Sequence, residues 1–397
     1  MDVRVRGALF AAALTIPSVA SAQEPGDDTG AAAAPAPAPP AGDKKADAPV
    51  EPKTPEAEPE KGFTWTPFGY LRMQYIAAQN DPNVQFVGRD DGFELQNARL
   101  GVRGKLAERA SFVVSIDGAV DERAQINVPD GKLKVGLRDA FVDVMFSGAL
   151  FARAGFFHSL VDPESLVPDT QRAFVDKPLA SRGVRATEGF QTQGLTPGRS
   201  IGAALRMDST EEATAPKFGF ELAVQNGADE FSSNNDNDKP AVSAAGLVRF
   251  ANQSHVVGAV RYNPRTVGDL PFRQDENDLM VSGGAMINVG PVGIGAGAVF
   301  VNTSFPTTGG PARRALGGHG QIMITVGGDA MPIGLGYRFC IFDPSSLITT
   351  DRVMEHTAGA VLGVPTYRMR LQLQATHVIE QRELSNSRVQ LAAEVSL

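Results

Sequence analysis

The sequence predicts an all-β fold, a transmembrane antiparallel β-barrel of about 16 strands with one long connection folded inward as a constriction. Three observations lead there. The last ten residues alternate without error, with Val389, Leu391, Ala393, Val395 and Leu397 on one face and Arg388, Gln390, Ala392, Glu394 and Ser396 on the other. An apolar face opposed to a hydrated one at period two is what a lipid-facing strand needs. The pattern recurs along the chain, and short turns alternate with long loops, which is how membrane barrels sort their connections. Finally, no apolar run reaches the roughly 20 residues that a spanning helix requires.

The N-terminal region reads differently. Arg4 and Arg6 precede an apolar run from Ala8 to Val19, and Ala20-Ser21-Ala22 supplies the small residues of a cleavage site, so residues 1–22 are expected to be a signal peptide. Residues 23–62 are mostly Ala, Pro, Glu, Asp and Lys, without an aromatic side chain. Such a segment has too little apolar surface to order itself and is expected to be a disordered periplasmic linker. The barrel is then expected over residues 63–397. Cys340 is the only cysteine, which excludes a disulfide within the chain.

Taken in order, Phe68 to Ala78 points Leu71, Met73 and Tyr75 outward and Arg72 and Gln74 inward. Asn97 to Leu106 sets Ala98, Leu100 and Val102 against Asn97, Arg99, Arg103 and Lys105, and a turn at Leu106 to Arg109 leads into Phe112, Val114 and Ile116 opposed to Ser111, Ser115 and Asp117. Asp139 to Phe146 and Leu150 to Phe156 flank the Ser147-Gly148-Ala149 turn, and Ile201 to Asp208 returns after a long excursion. Further runs fall near 217–226, 241–251, 255–263, 278–289, 291–302, 319–327, 332–342, 354–363, 366–378 and 387–397. Long loops are expected at 80–92, 226–240, 264–277 and 303–318.

The chain carries 37 basic and 45 acidic residues, a net charge of −8; without the 6 basic and 10 acidic residues of the first 62, the barrel holds 31 against 35, or −4. Total charge argues against an anion channel, but the strand phases reverse the sign inside. Arg72, Arg99, Arg103, Lys105, Arg153, Arg338, Arg368 and Arg370 fall on the lumen phase, while much of the acidic surplus sits in loops. Arginine rings in a narrow tube favour anions, because the field is focused and guanidinium bonds oxyanions through two N–H groups. A porin wall also needs charged, hydrated side chains, so a paired Arg–Asp wall is the alternative account of each position. The segment from His158 to Arg199 is too apolar for a free loop, with Leu160, Val161, Phe174, Val175 and Leu179 needing cover. Folded into the lumen it would bring Arg172, Lys177, Arg182, Arg185 and Arg199 to the constriction; an external lid or subunit contact is the other possibility.

Several stretches resemble the phosphate-selective porin O and P family of bacterial outer membranes. Asn97-Ala98-Arg99-Leu100-Gly101-Val102-Arg103-Gly104-Lys105-Leu106 is similar to its early ARLGxKGKL hairpin, and Leu137-Arg138-Asp139-Ala140-Phe141-Val142-Asp143 to its LRDAYVDY strand. Ala154-Gly155-Phe156-Phe157 is similar to VGQFK, Pro197-Gly198-Arg199-Ser200-Ile201-Gly202 to PGRxIG, and Asn226 to Lys239 to the fourth external loop. The resemblance implies a usually homotrimeric outer-membrane channel for passive diffusion, in some members selective for phosphate through a basic ladder. His158-Ser159 stands where the family tends to have Lys and a small residue or proline, so its phosphate-binding residues are not transferred one by one.

Enzymatic, metal and cofactor chemistry find no support in the sequence. The five histidines are scattered without metal-ligand spacing, and His158-Ser159 and Ser254-His255 are only neighbours, whose side chains point to opposite strand faces. Nothing points to nucleic acid. The expected partners are outer-membrane lipid and small anionic or polar solutes. Two functions remain: a channel for small anions such as phosphate, or a structural or ligand-binding barrel plugged by residues 158–199.

Overall fold

Period-two alternation with β-branched and aromatic residues outward builds 16 strands: β1 (Thr64–Ala78), β2 (Gly92–Leu106), β3 (Ala110–Asp117), β4 (Gly136–Ser147), β5 (Leu150–His158), β6 (Arg199–Met207), β7 (Lys217–Gln225), β8 (Ala241–Arg249), β9 (His255–Val267), β10 (Gln274–Val289), β11 (Val292–Ser304), β12 (Arg313–Val326), β13 (Ile333–Asp343), β14 (Val353–Val364), β15 (Met369–Glu380) and β16 (Arg388–Ser396). They come from a computed structural model that describes residues 63–89, 91–106, 109–119, 135–208, 216–227, 235–268 and 271–397. The expected signal peptide, the linker, the tip of the 106–109 turn and much of the 226–239 loop lie outside the described residues.

Each strand pairs antiparallel with its sequence neighbours, and β1 pairs with β16 to close the barrel. The closing register runs from Tyr70 opposite Ser396 to Ala78 opposite Arg388. Closure leaves no strand edge unpaired, which is the condition for a sheet in hydrocarbon, where exposed N–H and C=O groups have no water. The alternation is realised as expected: Leu71, Leu335, Leu373 and Leu391 stay about half exposed on the outside, whereas Arg72, Gln74, Gln374 and Gln390 are buried inside.

Two β-bulges alter the sequence reading. One lies between Arg72 and Met73, opposite Gln96 and Asn97. It brings Gln96 inward beside Asn97, so β2 changes phase there. The other, between Ser115 and Ile116, leaves Arg138 unpaired between Leu137 and Asp139. The expected loops at 264–277 and 303–318 are also shorter than predicted. β9 and β10 extend to Val267 and from Gln274, and β12 begins at Arg313. These rims are polar on both faces, with Arg265 and Arg313 both paired to Glu276, so the alternation signal ends before the strand does.

The connection between β5 and β6 holds short 3-10 turns and one helical turn, α1 (Leu179–Arg182). Gly183 ends α1 at φ +76°, where a Cβ would lie 2.2 Å from the Thr192 carbonyl oxygen. The connection lies against inward-facing side chains on several walls. Leu160, Val161 and Ala180 pack with Ala245, Ala259, Met280 and Val299, and Leu179 and Val184 with Cys340, Phe342, Val353 and Val378. Burying each Leu or Val side chain is worth about 1.5–3 kcal/mol. This apolar inner wall explains why so long a segment is held.

Candidate functional site

The alternation of β1, β2, β15 and β16 turns charged side chains inward, and the β5–β6 connection meets them at Asp169. The Arg72 Nε donates to Glu394 over 2.7 Å, and its Nη2 pairs with the same carboxylate and donates to the Asp169 carbonyl oxygen over 2.6 Å. Arg370 reaches Glu394 at 3.3 Å and donates to the Arg172 carbonyl oxygen at 2.9 Å. Arg99 pairs with Asp139 and stands 3.6 Å from the Asp169 carboxylate. Arg199 donates to Asp139 at 2.8 Å, Arg172 pairs with Asp169, and the Tyr70 hydroxyl donates to Asp169 at 2.9 Å.

Burial alone would raise the Asp169 pKa, but the charges of Arg172, Lys177, Arg138 and Arg99 hold it well below the carboxylate range. The site therefore keeps a carboxylate ionised while cations outnumber acids around it. Arg72 Nη1, Arg99 Nε and Arg370 Nε are buried donors without a hydrogen-bond partner here. Such donors call for an acceptor.

A second cluster lies toward the long-loop side. Arg182 bridges Glu188 (2.5 Å) and Glu355 (2.6 Å), Arg388 donates to Glu355 at 2.8 Å, and Arg185 meets Asp176 at 3.4 Å. Arg338 donates to the Asp176 carbonyl oxygen at 2.8 Å and lies 4.6 Å from the centre of the Phe174 ring. Burial opposes ionisation of Glu188, yet Arg182, Arg388 and Arg185 bring its pKa down to about 2. This cluster sets four arginines against three carboxylates and ties the connection to β13, β14 and β16.

Toward the short-turn side, Arg153 makes a two-point pair with Asp143 (2.7 and 2.9 Å) and lies 3.8 Å from the Phe141 ring centre. Arg103 sits 4.9 Å above Phe68. Gly101 permits this, since a Cβ there would come within 2.6 Å of the Phe68 ring. Among the described residues, Arg103 and Lys105 make no ion pair, and both are exposed. Arg368 corrects the sequence reading. It stands outside β15, in the turn after Pro365–Tyr367, exposed and at φ +49°. Proline and the turn break the alternation that had placed it on the wall.

Of the residues expected at the pore, the structure brings Arg72, Arg99, Arg172, Lys177, Arg199 and Arg370 together around Asp169 and Glu394, and Arg182, Arg185 and Arg338 at the second cluster, while Arg103, Lys105 and Arg153 stand apart from both. The sequence reading did not divide them. It missed Arg138, which strict alternation turns outward and the bulge returns to the neighbourhood of Asp169. Among the described residues, no cluster of three or more His, Cys, Asp or Glu side chains is placed to hold a metal.

A closed sixteen-stranded barrel with an apolar outside and an arginine-rich inside is the architecture of an outer-membrane porin. The chain belongs to the phosphate-selective porin O and P family, whose model matches residues 69–302. Its fold is similar to that of OmpT of Vibrio cholerae in trimer form (TM-score 0.57, 11% identity, covering 85% of this chain and 100% of that one). It is also similar to the outer membrane channel DcaP of Acinetobacter baumannii (0.56, 14%, 86% and 99%) and to an anion-selective porin from Comamonas acidovorans (0.54, 13%, 84% and 100%). The comparison with curated proteins returned no match.

Proposed function

We propose that the protein is a passive channel for small anions, phosphate among them, that works as a homotrimer and is exported by residues 1–22. The carrying observation is the belt around Asp169, where Arg72, Arg99, Arg172, Arg199 and Arg370 outnumber the carboxylates of Asp169, Asp139 and Glu394. An oxyanion replaces part of its hydration shell with guanidinium N–H groups that keep some exposed surface, as Arg99 and Arg370 do, and the surplus positive charge lowers its entry barrier. Asp169, Asp139 and Glu394 hold the guanidinium groups in place and weaken the field, which favours transit over retention. The β5–β6 connection narrows the lumen at this level. The family supports this reading, as does a fold shared with an anion-selective porin.

The test is a planar bilayer with the folded protein in a chloride gradient, followed by added phosphate. Anion-selective steps that phosphate reduces are expected, and cation-selective or unselective steps would overturn the anion reading. The second reading, a plugged structural or ligand-binding barrel, draws on the wall-to-wall bonds of the connection, from Ser282 Oγ to the Val161 carbonyl oxygen (2.5 Å) and from the Val175 N–H to Gln374 (2.9 Å). An electrically silent but correctly folded barrel would favour it.

A further inference from the structure

Close to the long-loop rim, the outward face of β14 and β15 carries two imidazoles, with Phe339 of β13 beside them. His356 and His377 are direct partners across β14 and β15, and Phe339 is the partner of His356 on β13. Direct partners in an antiparallel pair share a face, with Cβ atoms about 4.5–5.5 Å apart. Each imidazole is held by a hydroxyl through the same ring atom. His356 Nδ1 lies 2.6 Å from the Tyr337 hydroxyl, and His377 Nδ1 lies 3.1 Å from Ser387 Oγ. Phe339 packs on the His356 ring with centroids 5.0 Å apart.

This is the arrangement that ligating histidines use. A metal-bound imidazole coordinates through one nitrogen while the other donates to an oxygen that fixes its tautomer and orientation. With Nδ1–H donating to the Tyr337 or Ser387 oxygen, each Nε2 presents its lone pair, and neither Nε2 has a protein partner among the described residues. Both histidines lie three residues from the long-loop end of their strands, about 10 Å along the chain and close to the rim. Two imidazoles on a lipid-facing wall are costly unless they are engaged.

We propose that His356 and His377 form a bidentate site for a divalent transition-metal ion of the class imidazole prefers, Zn2+, Ni2+ or Cu2+, with water completing the coordination. The site lies on the outer wall and is independent of the lumen and its solute.

Equilibrium dialysis of tag-free, detergent-folded protein against Zn2+, with Cu2+ electron paramagnetic resonance in parallel, tests it. One ion per chain is expected, with a two-nitrogen signature for Cu2+. His356→Ala and His377→Ala should each weaken binding about tenfold or more, the double variant should bind no more tightly than either single one, and Tyr337→Phe should cost about tenfold through lost orientation. Replacing His158, His255 and His319 together should leave binding unchanged. Heat-modifiable migration verifies that each variant is folded, and outward positions can be truncated without opening the lumen. The proposal fails if the wild type binds no more metal than the double variant, if only one of the two histidines matters, or if binding follows the other three.

Discussion

In the proposed anion channel, Asp169 has opposite consequences for structure and for transport. Its carboxylate receives Tyr70 and pairs with Arg172, and Arg99 stands 3.6 Å away, so it organises the belt; its charge also opposes an entering anion. Two charges 4 Å apart interact by about 4 kcal/mol at an effective dielectric of 20, and water in a conducting lumen reduces that to about 1 kcal/mol, or about fivefold in a permeability ratio. Asp169→Asn should therefore raise the anion-to-cation ratio by up to about fivefold, and Arg99→Ala should lower it by a similar factor. Reversal potentials in a potassium chloride gradient measure both. The two variants must move in opposite directions, and shifts of the same sign would remove the belt as the selectivity determinant.

The β5–β6 connection is held by apolar packing at its centre and by ion pairs where it meets the wall. Glu355 accepts from both Arg182 and Arg388, and all three are almost fully buried. Removing one partner from a buried network leaves an uncompensated charge, which costs about 3–5 kcal/mol. Glu355→Gln is expected to loosen the connection at this anchor, seen as increased open-channel noise and faster proteolysis within residues 159–198. The acids on the connection set the pH range. Burial works against ionisation of Glu164 and Glu188, but His319, Arg172 and Arg338 bring the first, and Arg182, Arg388 and Arg185 the second, from 4.5 down to about 2. A carboxylate depressed in the folded state stabilises it fully above its unfolded value and loses that contribution as pH falls toward the folded one. Channel noise should then be flat from pH 8 to about 5 and rise only as pH falls from about 4.5 toward 2. A rise near neutral pH would show that other groups hold the segment.

For the whole molecule, the strand pattern was legible because the lipid imposes it: Leu71, Met73 and Tyr75 must face out whatever the lumen does. The same constraint explains what could not be read. At the bulges beside Arg72 and Ser115 the period slips by one residue, so Arg138 and Gln96 reach the lumen against the alternation. The partners of each arginine stayed hidden because Asp169, Glu188 and Glu355 arrive from distant parts of the chain, and spacing along a strand says nothing of them. The outside itself can be tested at β16, the strand that closes the barrel. Leu391 faces Tyr75 of β1 and Leu373 of β15, near the middle of its strand. Arginine near the bilayer midplane on the lipid face costs about 2–4 kcal/mol. Leu391→Arg should lower the free energy of folding into vesicles by about that amount, while Leu391→Ala, which adds no charge, should cost much less. Trp65, the only tryptophan, lies on β1 and is largely exposed on the outside, so its fluorescence follows insertion during urea titration. Equal costs for the two variants would mean that Leu391 faces protein, as at a contact between subunits, whereas a large difference places this sector against lipid and puts any contact between subunits on another part of the wall.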